Sequence, residues 1–269
     1  MGSGIAQVSA TAGFKTILFD VSDEIIQKSR VKIENDLQSL VNKQKISPEK
    51  KQNILRQFVF TSDINDCIAQ VIIEAVVEKL EIKISLVNQL AQLNKDDTVF
   101  ATNTSSLSVA AIAKEIRGPE RFAGLHFFNP APVMKLVEVV KGEQTSEDTI
   151  IKLVGLTKAL GKTPVICKDS PGFIVNRVAR PYYIESLRLI EEGFSNFETI
   201  DRLLESKGFK LGPFKLMDLI GNDINYTVSC SVYEQLRRPE RLRPSFIQKE
   251  KVEKGELGQK TGKGYYNYK

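Results

Sequence analysis

The sequence predicts an α/β protein: a doubly wound, mostly parallel sheet followed by an all-helical C-terminal domain. Three observations carry that expectation. Short apolar runs rich in Val, Ile and Phe alternate with helical patterns through the first part of the chain, as strands joined by crossover helices do. Beyond Lys168 the strand pattern stops and only helical patterns follow. An Asp169-Ser170-Pro171-Gly172 break separates the two regions. The expected domains are residues 1–168 and 169–269.

The elements follow in order. The chain opens directly into a helix running to about Ala12 and ended by Gly13. Residues Lys15–Asp20 read as a buried strand that finishes at an acid. Residues 23–57 read as a charged helical pair, broken near Ser47-Pro48. Phe58–Phe60 is a short strand and Val71–Val77 a stronger one, with a helix from Lys79 to about Leu93 behind it. Thr98–Thr102, the run Arg121–Leu125 leading to His126, Leu136–Val140 and Thr163–Cys167 complete the strands. The later helices are expected over roughly 172–192, 197–206, 214–236 and 245–254. There is no internal repeat and no low-complexity tract.

Bulk properties exclude several function classes. A chain of 269 residues with 42% hydrophobic and 26% charged residues has the composition of a soluble globular protein and ample room for a core. A net charge of +5 suits an anionic small molecule and is too weak to argue for nucleic acid. No apolar run approaches the length of a membrane span, so no membrane partner is expected. Cys67, Cys167 and Cys230 are odd in number and far apart, which gives neither metal-ligand spacing nor a disulfide framework. They read as buried free thiols of a reducing compartment. No secretory or transit signal is visible at the start, and no metal site is expected.

The chain has a single histidine, His126, within Gly124-Leu125-His126-Phe127-Phe128-Asn129-Pro130. An imidazole is the side chain best suited to moving protons near neutral pH. At the mouth of a strand it stands where an α/β protein would place a catalytic base. A satisfied structural histidine is the alternative.

A dinucleotide signal lies near the start. In a dinucleotide fold a Gly-rich turn precedes the first helix, and an acid ending the second strand holds the adenosine ribose hydroxyls. Gly2 and Asp20 stand 18 residues apart, close to the usual interval of about 20. The acid favours NAD over NADP, because it would repel a 2′-phosphate. The first strand and the first two glycines of G-x-G-x-x-G are absent, leaving Gly2 as a candidate third. Met1-Gly2-Ser3-Gly4 as a cloning remnant is the competing reading.

Taken together, the motifs resemble the L-3-hydroxyacyl-CoA dehydrogenase family, which includes 3-hydroxybutyryl-CoA dehydrogenases. The resemblance covers essentially the whole chain. It rests on Met1–Ala6, Asn103-Thr104-Ser105-Ser106-Leu107, His126–Pro130, Lys135–Val139, Pro171–Arg177, Leu211-Gly212-Pro213-Phe214 and Lys260–Tyr266, in that order and spacing. It implies a Rossmann-like NAD-binding domain, a helical dimerisation and substrate domain, and hydride transfer from C3 of a 3-hydroxyacyl-CoA to NAD, in fatty-acid β-oxidation or butanoate metabolism.

The resemblance also implies site residues. His126 aligns with the family's catalytic histidine and Glu138 with the carboxylate paired to it. The sequence adds a reason of its own: an acid mid-strand in an apolar run is costly unless paired. An outward-facing strand acid is the alternative for Glu138. Ser105 and Asn176 align with the other active-site polar residues, which would hold the substrate oxygen. A helix N-cap and a buried structural amide are their respective alternatives. Asp20, Glu78, Lys83 and Asn103 match positions around the dinucleotide, with a solvated helix-face charge as the alternative for Lys83. The helical pair of residues 23–57 would form an arm near CoA, and its basic excess suits the CoA phosphates.

Further expectations come with the resemblance: an NAD cofactor, an acyl-CoA substrate, a homodimer through the C-terminal helices, and a cytoplasmic location (mitochondrial matrix in a eukaryote). The family pattern begins with a strand and full glycine turn ahead of Met1, so reduced NAD affinity and stability are expected of this chain. Competing readings are a non-catalytic relative that binds CoA or NAD, a dehydrogenase for a free hydroxy acid, and one piece of a larger fatty-acid oxidation protein.

Overall fold

The structure, a computed structural model, describes residues 1–268, which divide into a first unit, Met1–Asp169, and a second from Ser170 on. In the first unit, helix α1 (Gly2–Thr11) lies between two apolar clusters. Its Ile5 and Val8 pack with Val99, Leu125 and Val137, while Ala6 and Ala10 pack with Leu18, Ile26, Ile33 and Leu37. Small residues on one stripe let the second cluster approach closely.

Strand β1 (Thr16–Phe19) follows and pairs in parallel with β2 (Phe58–Thr61). Between them run α2 (Asp23–Asn42) and α3 (Pro48–Leu55). Each helix starts where the sequence supplies a cap: Ser22 Oγ accepts from the Ile25 amide, and Ser47 Oγ from Lys50, with Pro48 opening the second helix. Their apolar stripe, Ile26, Ile33, Leu37 and Ile54, is buried and their charges face solvent.

The main sheet has five strands in the order β3-β4-β5-β6-β7: β3 (Val71–Glu74), β4 (Val99–Thr102), β5 (Phe122–Phe127), β6 (Leu136–Lys141) and β7 (Thr163–Lys168). All neighbours are parallel except β5 and β6. Only residues 128–135 join those two, too few for a parallel crossover and enough for a hairpin. Helices α4 (Leu80–Leu93), α5 (Val109–Ala113) and α6 (Glu147–Ala159) complete the unit. The doubly wound plan is carried by two sheets, since β1 and β2 pair only with each other. Strand β3 ends at Glu74 rather than Val77, so Ala75–Glu78 leave the sheet as a turn.

The second unit is helical: α7 (Val175–Glu191), α8 (Phe197–Ser206), α9 (Pro213–Ile220), α10 (Asn222–Gln235) and α11 (Phe246–Glu253). The single helix expected over 214–236 is two. Gly221 breaks it with φ of 104°, a conformation open to glycine and costly for other residues. Two buried aspartates organise this unit. Asp201 accepts from the Phe214 and Lys215 amides and the Tyr266 hydroxyl. Asp218 accepts from the Tyr265 and Tyr266 amides and the Tyr268 hydroxyl. Among the described residues, no helix is long and apolar enough to cross a membrane.

Candidate active site

His126 is the penultimate residue of β5 and stands directly opposite Glu138 of β6 in the antiparallel register. Opposed residues of an antiparallel pair project to the same face. His126 Nδ1 and Glu138 Oε2 accordingly meet at 2.8 Å, with the two residues only 6% and 0% exposed. The Phe128 ring lies 4.6 Å from the imidazole, centroid to centroid. The acid is therefore an inward partner of the histidine, not an outward strand charge. A carboxylate so placed orients the ring.

The pair sits at the C-terminal end of β5, the end where a parallel sheet receives ligands. Asn103, just past β4, reaches across to the same end: its Oδ1 accepts from the Phe127 amide at 2.8 Å. That bond ties the tips of β4 and β5 together beside His126.

Ser105 occupies the turn after β4. Glu78 organises this turn through one oxygen, Oε1, which accepts from the Thr104 hydroxyl (2.5 Å), the Ser105 amide (3.0 Å), the Ser106 amide (3.2 Å) and the Ser106 hydroxyl (3.0 Å). The Ser105 hydroxyl itself makes no hydrogen bond among the described residues, which leaves it for a ligand. Nor does Ser105 cap a helix; Ser108 caps α5. Burial alone would raise the Glu78 carboxyl, but the Thr104 hydroxyl, Lys83 and the Ser105 amide outweigh it and hold the group below the ordinary range.

Lys83 is not a solvated helix-face charge, being 1% exposed. Its ammonium bonds both oxygens of Glu74, at 3.0 and 2.9 Å, and stands 3.2 Å from Glu78 Oε2. Sequence reasoning missed Glu74. The signal was available: it is an acid inside an apolar strand run, the same argument that supports Glu138.

The N-terminus of α1 suits an anion. No side chain caps it and no acid lies in its first turn, so its leading amides are free to meet a pyrophosphate. A Cβ at Gly2 would meet only Ala75 Cβ, at 4.0 Å, whereas one at Gly4 would press on Pro132 Cδ at 3.3 Å and Ala131 Cβ at 3.4 Å. Packing therefore restricts Gly4 more than the anticipated Gly2. Asp20 lies just past β1 and accepts from the Ser22 amide through Oδ1 at 3.1 Å. An uncapped helix start and a carboxylate at the end of β1 together fit a dinucleotide.

Asn176 belongs to the second unit, half-buried in the first turn of α7, where its backbone oxygen accepts from Arg180 Nε at 3.0 Å. In the arm, Lys28 and Lys32 pair with Glu24 and Asp36, both at 2.5 Å on the surface. The thiols offer no nucleophile: burial pushes Cys67 up to about 11 and Cys167 up to about 12.

Comparison with known proteins places these features. Residues 1–170 match the family model for the 3-hydroxyacyl-CoA dehydrogenase NAD-binding domain, and residues 172–268 match the model for the C-terminal domain of the same enzymes. A 3-hydroxyadipyl-CoA dehydrogenase of Escherichia coli (strain K12) is 46% identical over 271 residues, covering 100% of this chain; the chain spans 57% of that relative's length. The mitochondrial hydroxyacyl-coenzyme A dehydrogenase of Sus scrofa is 40% identical over 277 residues, covering 100% of this chain and 88% of that protein. The crystal structure of a 3-hydroxybutyryl-CoA dehydrogenase from Escherichia coli superposes with a TM-score of 0.97 at 46% identity, covering 100% of this chain and 57% of that one.

Proposed function

The chain belongs to the 3-hydroxyacyl-CoA dehydrogenase family of NAD-dependent oxidoreductases, and from that premise we propose that it interconverts (S)-3-hydroxyacyl-CoA and 3-ketoacyl-CoA. The observation that carries this reading is the buried His126–Glu138 pair at the ligand end of β5, inside the unit that matches the NAD-binding domain.

In this reading His126 removes the proton from the C3 hydroxyl during oxidation and returns it during reduction. Glu138 holds the imidazole through Nδ1, leaves the reacting role to Nε2, and stabilises the ring when it carries the extra proton. The Ser105 hydroxyl, fixed on its turn and otherwise uncommitted, holds the substrate oxygen. NAD, when bound, supplies the hydride acceptor. The α1 start at Gly2 would receive its pyrophosphate and Asp20 its ribose hydroxyls, while Glu78, Lys83 and Asn103 would build the adjoining wall.

The substrate is an acyl-CoA, with the basic arm of α2 and α3 near its phosphates, and the reaction belongs to fatty-acid β-oxidation or butanoate metabolism. Exposed apolar residues of the second unit, among them Phe194, Leu203, Phe209 and Phe246, support a homodimer through the C-terminal helices. The proposed location is the cytoplasm, or the mitochondrial matrix in a eukaryote.

The test is NADH consumption with acetoacetyl-CoA, run beside free acetoacetate and with the His126→Ala variant. Turnover of the thioester alone, lost in the variant, is the expected result. Turnover of the free acid would move the enzyme to another substrate class. Silence from folded protein with both would overturn catalysis in favour of a binding role.

A further inference from the structure

Lys83 stands on α4, yet its ammonium is surrounded by carboxylates from two places in the chain. Glu74 meets it from the last position of β3, with both oxygens. Glu74 Oε2 also accepts from the Val76 amide at 3.2 Å, so the same carboxylate shapes the turn that leads to Glu78. Glu78 then divides its two oxygens. Oε2 faces Lys83, and Oε1 gathers the donors of the Thr104–Ser106 turn. The result is a chain of contacts running from the buried Glu74, through Lys83, to Glu78 and the backbone around Ser105.

The cost of this arrangement argues that it is specific. Two ions with side chains 1% and 2% exposed lose their hydration, and an apolar pair of similar volume would fold about as well. What an apolar pair could not do is hold Glu78. With no cation at Oε2, a carboxylate half out of solvent beside an apolar strand end is free to swing or take a proton, and Oε1 then loses its grip on the turn.

We propose that Glu74 is a positioning residue for the active site: through Lys83 it fixes Glu78, and through Glu78 it fixes the turn that presents the Ser105 hydroxyl. Glu74 is 4% exposed and acts through Lys83 and the Val76 amide. This rests on the proposed dehydrogenase function only for the role of Ser105; the contact chain itself stands on geometry.

The test is a double variant, Glu74→Leu with Lys83→Met. It avoids stranding either buried charge, which each single substitution would do. Amide hydrogen exchange is followed by mass spectrometry, without cofactor, on peptides spanning 102–108 and, as a control, 122–127. The expected result is exchange at the Ser105 and Ser106 amides at least about tenfold faster, with the control peptide unchanged. Turnover of acetoacetyl-CoA is expected to fall about tenfold in kcat with KM within about twofold, because a displaced hydroxyl harms alignment more than binding. Unchanged exchange at 104–106 in the folded variant overturns the proposal. If the variant does not fold, Glu74→Gln, which keeps one acceptor oxygen for Lys83, is measured in the same way: faster exchange at the Ser105 and Ser106 amides supports the proposal, and unchanged exchange overturns it. Parent protein silent toward acyl-CoA would refute the dehydrogenase function and leave the exchange result standing.

Discussion

Glu138→Gln is the sharpest test of the reaction chemistry. The amide keeps the shape of the carboxylate and one acceptor oxygen, so β6 has little reason to move. What it removes is the charge beside His126, at a contact of 2.8 Å between residues 6% and 0% exposed. Opposite unit charges with centres about 4 Å apart attract by about 4 kcal/mol at an effective dielectric of about 20. Salt screens so buried a pair very little. The imidazole becomes cationic as it takes the C3 hydroxyl proton, so this attraction is realised mainly near the transition state. Losing it is expected to slow kcat about a thousandfold. The assay is NADH formation from saturating (S)-3-hydroxybutyryl-CoA and NAD, beside a thermal melt to show that the fold persists. A folded Glu138→Gln protein with kcat within about tenfold of the parent would refute the reasoning, and with it the assignment of the pair as base and orienting acid.

Other consequences are equally accessible. Gly124→Ala would place a Cβ 2.7 Å from Val140 Cβ and 3.0 Å from Val109 Cγ2, so a loss of roughly 1–3 kcal/mol by urea unfolding is expected, partly restored by Val140→Ala. Gly264→Ala would drive a Cβ to 2.0 Å from Asp218 Oδ1, and a fall in thermal midpoint larger than that of Gly124→Ala is expected. Burial raises the Cys67 thiol from 9.0 to about 11, so its thiolate is roughly a hundredfold scarcer than in the unfolded chain. Alkylation at pH 8 should be slow until denaturant is added, and rapid modification of native protein would contradict this. The Glu78 carboxyl is held low, so its contribution to stability is fully present above the ordinary carboxylate pKa and disappears as pH falls through the lowered value. The stability gap between parent and Glu78→Gln should therefore stay level from pH 7 to about 5 and narrow only in stronger acid. A gap already closing near pH 6 would be inconsistent with a depressed pKa.

Much of the fold was legible because strand and helix periods alternate plainly and Ser or Pro marks several helix starts, as at Ser22, Ser47 and Pro48. The His126–Glu138 meeting was legible for a physical reason: an acid in an apolar strand needs a partner, and the chain has one histidine. The antiparallel pairing of β5 with β6 was not read from the sequence, although the short span from Phe128 to Lys135 leaves room for a hairpin and not for a parallel crossover. Three features were harder to see. Gly221 looks like an ordinary helix residue until its positive φ is known. Lys83 lies in a pattern with charged neighbours, and nothing local reveals that tertiary contacts bury it. Glu74 carried the same signal as Glu138, an acid inside an apolar strand run, but its partner Lys83 lies on the following helix and only tertiary packing brings the two together.

The pairing of β5 with β6 has one more consequence. The separation of acid and imidazole is set by a ladder of main-chain hydrogen bonds, not by the segment that joins the two strands. An exposed position of the joining segment, such as Val133, can therefore change without altering the distance between acid and ring, whereas Phe128, packed on the imidazole, and the buried Ala131 are held by their contacts.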